Sequence, residues 1–186
     1  MNDEILKAYD IIKEGGIILY PTDTVWGIGC DATNAEAVAK IYQLKKRAES
    51  QNMIVLMNGD KMMHNVFTEI PEVAWQIIEL SENPTTLILD KPKNVAANLI
   101  ATDNTLGIRI VKEPFCFKLL EKLKKPLVST SANISGKPTP KSFKEISPEI
   151  LKGVDYIVNL QRDKIGGKPS TIIKLSLDNQ VKIIRK

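Results

Sequence analysis

Aromatic side chains are scarce in this chain: Phe, Trp and Tyr make up 5% of its 186 residues. Platforms that stack single-stranded bases need interleaved aromatics, so that mode of nucleic-acid binding is excluded. Cysteine is scarcer still. Cys30 and Cys116 lie far apart and match no metal or redox spacing, which leaves no disulfide framework or zinc site. The single histidine, His64, has no acid or metal-ligand neighbour in sequence and reads as structural or surface. No run approaches the ~18 apolar residues of a membrane helix. The acidic start, Met1 to Glu4, lacks the apolar stretch of a signal peptide. A cytoplasmic protein without membrane contact is the expectation. A net charge of +4 permits a polyanionic partner without arguing for one.

What is present is an alternation of apolar runs and amphipathic stretches. Residues 3–14 place Ile5, Leu6, Tyr9 and Ile12 on one helical face, and Gly15-Gly16 stops the helix. Further helices are expected from Thr33, where Thr33 and Glu36 have capping-box spacing, from Pro71, over 113–125 and over 142–152. Strands are expected at 17–20, 53–57, 85–90, 105–111, 127–129, 154–158, 171–175 and 181–184, the last two joined at Asp178-Asn179, a hairpin signal. This order predicts an α/β fold: one domain, residues 1–186, with a twisted mixed sheet of about seven strands and flanking helices.

Three loops rich in hydroxyls and glycine lie between strong strands, where α/β proteins place their ligands: 21–32, 129–140 and 166–171. The last two share the order Gly, Lys, Pro, hydroxyl. Glycine lets amides approach an anion, Lys adds charge and the hydroxyl adds a directed donor, so the pair is suited to a polyphosphate; ordinary turn chemistry explains either loop equally well. Neither is a P-loop, because Pro138 and Pro169 stand where that motif needs Ser or Thr. Gly27-x-Gly29-x-x-Ala32 matches a dinucleotide fingerprint, but Pro21 to Trp26 intervene between strand and glycines, against a nicotinamide site. Lys45-Lys46-Arg47 ends a helix, as a complement to its dipole or as a phosphate clamp. Arg109 sits within an apolar strand and requires an anionic partner, either a ligand carboxylate or an internal Asp or Glu.

These segments, in this order, resemble the YrdC-like threonylcarbamoyl-adenylate synthase family. The resemblance rests on residues 21–32, Lys45-x-Arg47, Leu106-Gly-Ile-Arg109, Ser131-Ala-Asn133 followed by Ser135-Gly136, and Pro169 to Ile173. It spans residue 21 to about 185 and covers the family's catalytic domain; the extra C-terminal domain of some members is not expected here. The resemblance implies a basic concave face and a nucleotidyltransferase reaction: L-threonine, bicarbonate and ATP, with Mg²⁺, give threonylcarbamoyl-AMP and pyrophosphate. Threonylcarbamoyl-transferase proteins would then use that product to modify tRNA. Carried over by motif, Lys45, Arg47, Ser131 and Asn133 are the catalytic cluster. Thr24, Arg109, Ser129 and Ser170 would bind threonine, while Arg47, Gln51, Thr105, Ser131, Thr139 and Arg185 would bind ATP. No metal ligand on the protein is implied, the triphosphate supplying most of the Mg²⁺ contacts. The chain departs from the pattern at Trp26, Ala48, Leu56 and Asn83-Pro84. A second reading is a YrdC-like paralogue that binds double-stranded RNA or tRNA without synthase activity, through shape and phosphate contacts.

Overall fold

A computed structural model describes residues 1–48, 53–178 and 180–186. Its centre is a mixed sheet of nine strands in the order β7-β1-β2-β6-β3-β5-β4-β8-β9. The strands are β1 (Ile18–Tyr20), β2 (Gly27–Gly29), β3 (Ile54–Met57), β4 (Thr85–Asp90), β5 (Thr105–Ile110), β6 (Leu127–Ser131), β7 (Tyr156–Ile157), β8 (Thr171–Leu175) and β9 (Val181–Arg185). Three neighbouring pairs run parallel (β1–β7, β3–β5 and β4–β8) and the rest antiparallel. The helices are α1 (Asn2–Lys13), α2 (Ala35–Lys45), α3 (Asp60–Val66), α4 (Glu72–Leu80), α5 (Pro114–Leu123) and α6 (Pro148–Gly153). Among the described residues no helix is long and apolar enough to cross a membrane.

The architecture matches the expected α/β mixed sheet with flanking helices, at nine strands rather than about seven. The addition that matters is β2. Two glycines in three residues give it little strand propensity, so it reads as loop in the sequence. Its glycines are needed for packing. A Cβ on Gly29 would stand 2.8 Å from the Tyr20 ring and collide with the Val128 carbonyl. Tyr20 covers the pair and donates its hydroxyl to Val128 O at 3.1 Å. The Gly-x-Gly is therefore a close-packed strand, which disposes of the dinucleotide reading on structural grounds.

Local chemistry moves other boundaries. Helix α2 is capped by Asn34 rather than Thr33: Asn34 Oδ1 accepts the amides of Glu36 and Ala37, each at 3.1 Å. Thr33 turns back instead, donating its hydroxyl to Asp31 Oδ1 at 2.7 Å. The stretch 142–152 breaks into a 3-10 turn (Phe143–Glu145) and α6, because Pro148 starts a new helix behind the Ser147 cap. Glu113 caps α5 through the Cys116 amide at 2.8 Å, with Pro114 opening the helix. Helix α3 carried no signal strong enough to be expected.

Gly29→Ala should overpack β2 against β6 and Tyr20, costing on the order of 1–3 kcal/mol. Thermal denaturation should register this as a lowered midpoint; an unchanged midpoint would contradict the packing described.

Candidate active site

Strand register gathers the polar residues on one face. Ile54 faces Gly107 on one side and Ser129 on the other, and Thr86 pairs with Ile172. Side chains alternate along each strand, so Ser129 and Ser131, Ile54, Gly107 and Arg109, Thr86, and Ile172 share a face. Gly107 leaves that face open at its middle; a Cβ there would lie 2.9 Å from Ile54. Loop 21–26 and the segment before β8 wall the resulting cleft of roughly 240 Å³.

Eight of the residues singled out in the sequence line it: Thr24, Arg47, Arg109, Ser129, Ser131, Thr139, Ser170 and Arg185. Its described lining holds three guanidinium groups and no carboxylate. Arg109 is 4% exposed. Its Nη2 lies 2.8 Å from Asp23 Oδ1, so the partner is the internal acid that the sequence left open. That contact is an ion pair by distance without hydrogen-bond alignment. Arg109 Nε is buried and has no hydrogen-bond partner among the described residues. A buried N–H left unpaired costs about 1–3 kcal/mol, and a ligand carboxylate reaching it would recover that loss.

The hydroxyls are held in place. Thr22 Oγ donates to Val25 O at 2.7 Å and lies 3.0 Å from Thr24 Oγ. Ser170 Oγ lies 2.8 Å from Thr86 Oγ, and Arg185 spans Ser170 O with Nε at 3.0 Å and Nη2 at 2.8 Å. The first loop is stapled to its neighbours by backbone bonds: Gly167 N donates to Thr24 O at 2.6 Å, and Ala132 N to Trp26 O at 3.0 Å. Trp26 itself is buried against Phe143, ring centroids 5.0 Å apart, and lines no part of the cleft.

Three expected site residues are placed differently. Lys45 is 1% exposed and does not line the cleft. Its ammonium contacts Ser131 O and donates to Asn133 O at 2.5 Å, while Ser135 N donates to Lys45 O at 2.8 Å. Lys45 thus pins the 131–135 loop from behind. Burial, with Arg47 adding repulsion, pushes its pKa down to about 7. Burial also draws Arg47 below its ordinary value. Asn133 likewise lies outside the cleft lining, its amide donating to Ile134 O at 3.0 Å and Lys137 O at 2.7 Å. Thr105 is buried and donates to Asp103 at 2.7 Å, away from the cleft. Gln51 lies outside the described residues. The lysines of the two Gly-Lys-Pro loops, Lys137 and Lys168, are exposed and not in the lining; Thr139, Pro169 and Ser170 line it in their place. The positive charge of the cleft comes from arginines. Sequence reasoning missed Thr22, Thr86 and Asp23; only the hydroxyl and acid next to Thr24 hinted at two of them.

Fold and cleft together define an α/β protein whose sheet face carries an arginine- and hydroxyl-lined cleft. Over residues 10–186 the chain matches the Sua5/YciO/YrdC family, described as telomere recombination, and it belongs to that family. A Methanocaldococcus jannaschii protein provisionally named threonylcarbamoyl-AMP synthase is 34% identical, over 98% of this chain and 93% of its own. The threonylcarbamoyl-AMP synthase of Pseudoalteromonas translucida is 31% identical, over 92% and 94%. Pyrococcus abyssi Sua5 complexed with L-threonine superposes with a TM-score of 0.81 at 29% identity, covering 92% of this chain and 50% of that one. Escherichia coli YciO gives 0.86 at 27% identity, covering 100% and 90%.

The Lys45 pin predicts a pH effect. Its folded pKa of about 7 lies below the ordinary 10.5, so between these values the unfolded chain binds the extra proton and stability rises with pH. The urea midpoint of the wild type should gain on that of Lys45→Met as pH rises from 7 to about 9. Parallel pH dependence in the two proteins would contradict a buried Lys45.

Proposed function

We propose that this chain is an L-threonylcarbamoyl-adenylate synthase, a nucleotidyltransferase that joins L-threonine, bicarbonate and ATP and releases pyrophosphate. The observation that carries this reading is the buried Arg109, its Nε unpartnered, in a cleft lined by Arg47, Arg185 and hydroxyls. An amino acid brings a second carboxylate, for the Nε that Asp23 leaves unpartnered. Thr24, Ser129 and Ser170 line the same cleft and would offer hydroxyl groups suited to the substrate's own polar groups. The remaining two arginines suit a polyphosphate, and their charge would stabilise pyrophosphate as it leaves. Ser131 and Thr139 line the same cleft and would add directed donors for phosphate oxygens.

The chemistry needs no protein nucleophile. The threonine amine attacks the carbon of bicarbonate to give a carbamate with loss of water. A carbamate oxygen then attacks the α-phosphorus of ATP, forming the mixed anhydride as pyrophosphate departs with the electrons of the broken P–O bond. The protein's part is positioning and charge stabilisation, the usual means in phosphoryl and nucleotidyl transfer. Among the described residues no group of three or more His, Cys, Asp or Glu side chains is placed to hold a metal. Mg²⁺ would enter with ATP, ligated by the phosphates and water. Residues 1–186 would act as one catalytic domain of the cytoplasm. Its product would pass to transferase proteins acting on tRNA, and direct tRNA contact would be phosphate-driven and salt-sensitive.

Pyrophosphate release should require both threonine and bicarbonate; equal release without threonine would overturn the reading. Arg109→Ala should raise the threonine KM by about tenfold or more, while Arg47→Ala should fall chiefly on ATP use. Steady-state kinetics with each substrate varied in turn checks both, and wild-type constants in both variants would contradict the assignment.

A further inference from the structure

The residue that holds Arg109 does not itself line the cleft. Asp23 instead lines a second hollow of about 200 Å³, together with Ile78, Glu82, Pro84, Ile110 and Lys112, which Arg109 does not line. The Arg109–Asp23 pair stands between the two hollows, so a ligand entering the cleft meets Arg109 without displacing Asp23.

We propose that Asp23 is a positioning residue for the amino-acid substrate: it fixes the Arg109 guanidinium in the wall of the cleft and leaves Nε for the substrate carboxylate. The proposal rests on the reading that Arg109 receives that carboxylate. Three observations carry it. Arg109 is 4% exposed, and a guanidinium buried to that extent without a counter-charge would be costly in the empty site. Asp23 supplies the charge at 2.8 Å from Nη2, and among the described residues the guanidinium's Nε–H keeps no hydrogen-bond partner. The backbone around Asp23 is fixed independently of its side chain. Thr24 N donates to Thr22 Oγ at 3.0 Å, Thr22 Oγ donates to Val25 O at 2.7 Å and Gly167 N donates to Thr24 O at 2.6 Å. Removing the carboxylate therefore loosens Arg109 and leaves the loop in place.

Asp23→Ala and Asp23→Asn separate positioning from general structure. In the pyrophosphate-release assay, with threonine and ATP varied separately, Asp23→Ala should raise the threonine KM by about tenfold while kcat and the ATP KM stay within about threefold. Asp23→Asn keeps an oxygen in the same place and should fall between Asp23→Ala and the wild type, at about threefold. Thermal denaturation identifies a variant that fails to fold, and Asp23→Asn alone then carries the test with the same threonine-selective rise expected. A wild-type threonine KM in a folded variant, or an equal rise in both KM values, overturns the proposal. These outcomes are distinct from failure of the functional reading, which would appear in the wild type itself as pyrophosphate release indifferent to threonine.

Discussion

A guanidinium buried in the face of a β-sheet constrains everything around it. Arg109 occupies a strand position where its neighbours are Leu56 in register and Ile108 and Ile110 in sequence, all apolar. A charge in such a place must be compensated, and one internal acid at 2.8 Å does so only in part. The rest of the cleft is arranged around what remains. Hydroxyls from four segments line the same cleft, and two further arginines add to its positive charge. The arrangement makes sense for a ligand that carries a carboxylate at one end and meets a polyphosphate at the other.

The cleft owes its shape to loops that are tied down from outside it. Loop 21–26 is bonded through Thr24 O and Trp26 O to the two other hydroxyl-rich loops. The far wall is held by Lys45, which gives up a solvated charge to grip the carbonyls of Ser131 and Asn133. The cost of burying that ammonium shows in its lowered pKa. Such ties place catalytic geometry in the scaffold, consistent with chemistry that relies on positioning rather than on a protein nucleophile.

Much of this was legible in the sequence, for identifiable reasons. Apolar runs between turn signals marked the strands, and the strand-embedded Arg109 announced an anionic partner before any fold was known. The clustering of three loops rich in Gly, Ser and Thr located the cleft walls. What sequence could not resolve was direction. In Gly-Lys-Pro loops the lysines look like the phosphate ligands, yet Lys137 and Lys168 stay exposed and the neighbouring hydroxyls face inward. Lys45 and Arg47 look alike two residues apart, yet the helix ends between them at Lys46, whose left-handed conformation (φ 50°) redirects the chain. One cation turns under the loop and the other into the cleft. Thr105 and Arg109 share a strand face, but four residues of strand carry Thr105 out of reach, to Asp103. Asp23 was hidden because nothing in local pattern tells which acid will meet a buried arginine. The strand β2 was hidden because its glycines serve close packing, a reason that only the neighbouring Tyr20 reveals.

The central claim is that the Arg109 pocket takes threonine beside a nucleotide. Calorimetric titration of threonine into the wild type, with and without a non-hydrolysable ATP analogue, tests it most directly. The account predicts saturable threonine binding whose affinity changes when the analogue is present, because the two ligands share one cleft, and loss of that binding in Arg109→Ala. Absence of threonine binding under both conditions, or binding undiminished in Arg109→Ala, would contradict it.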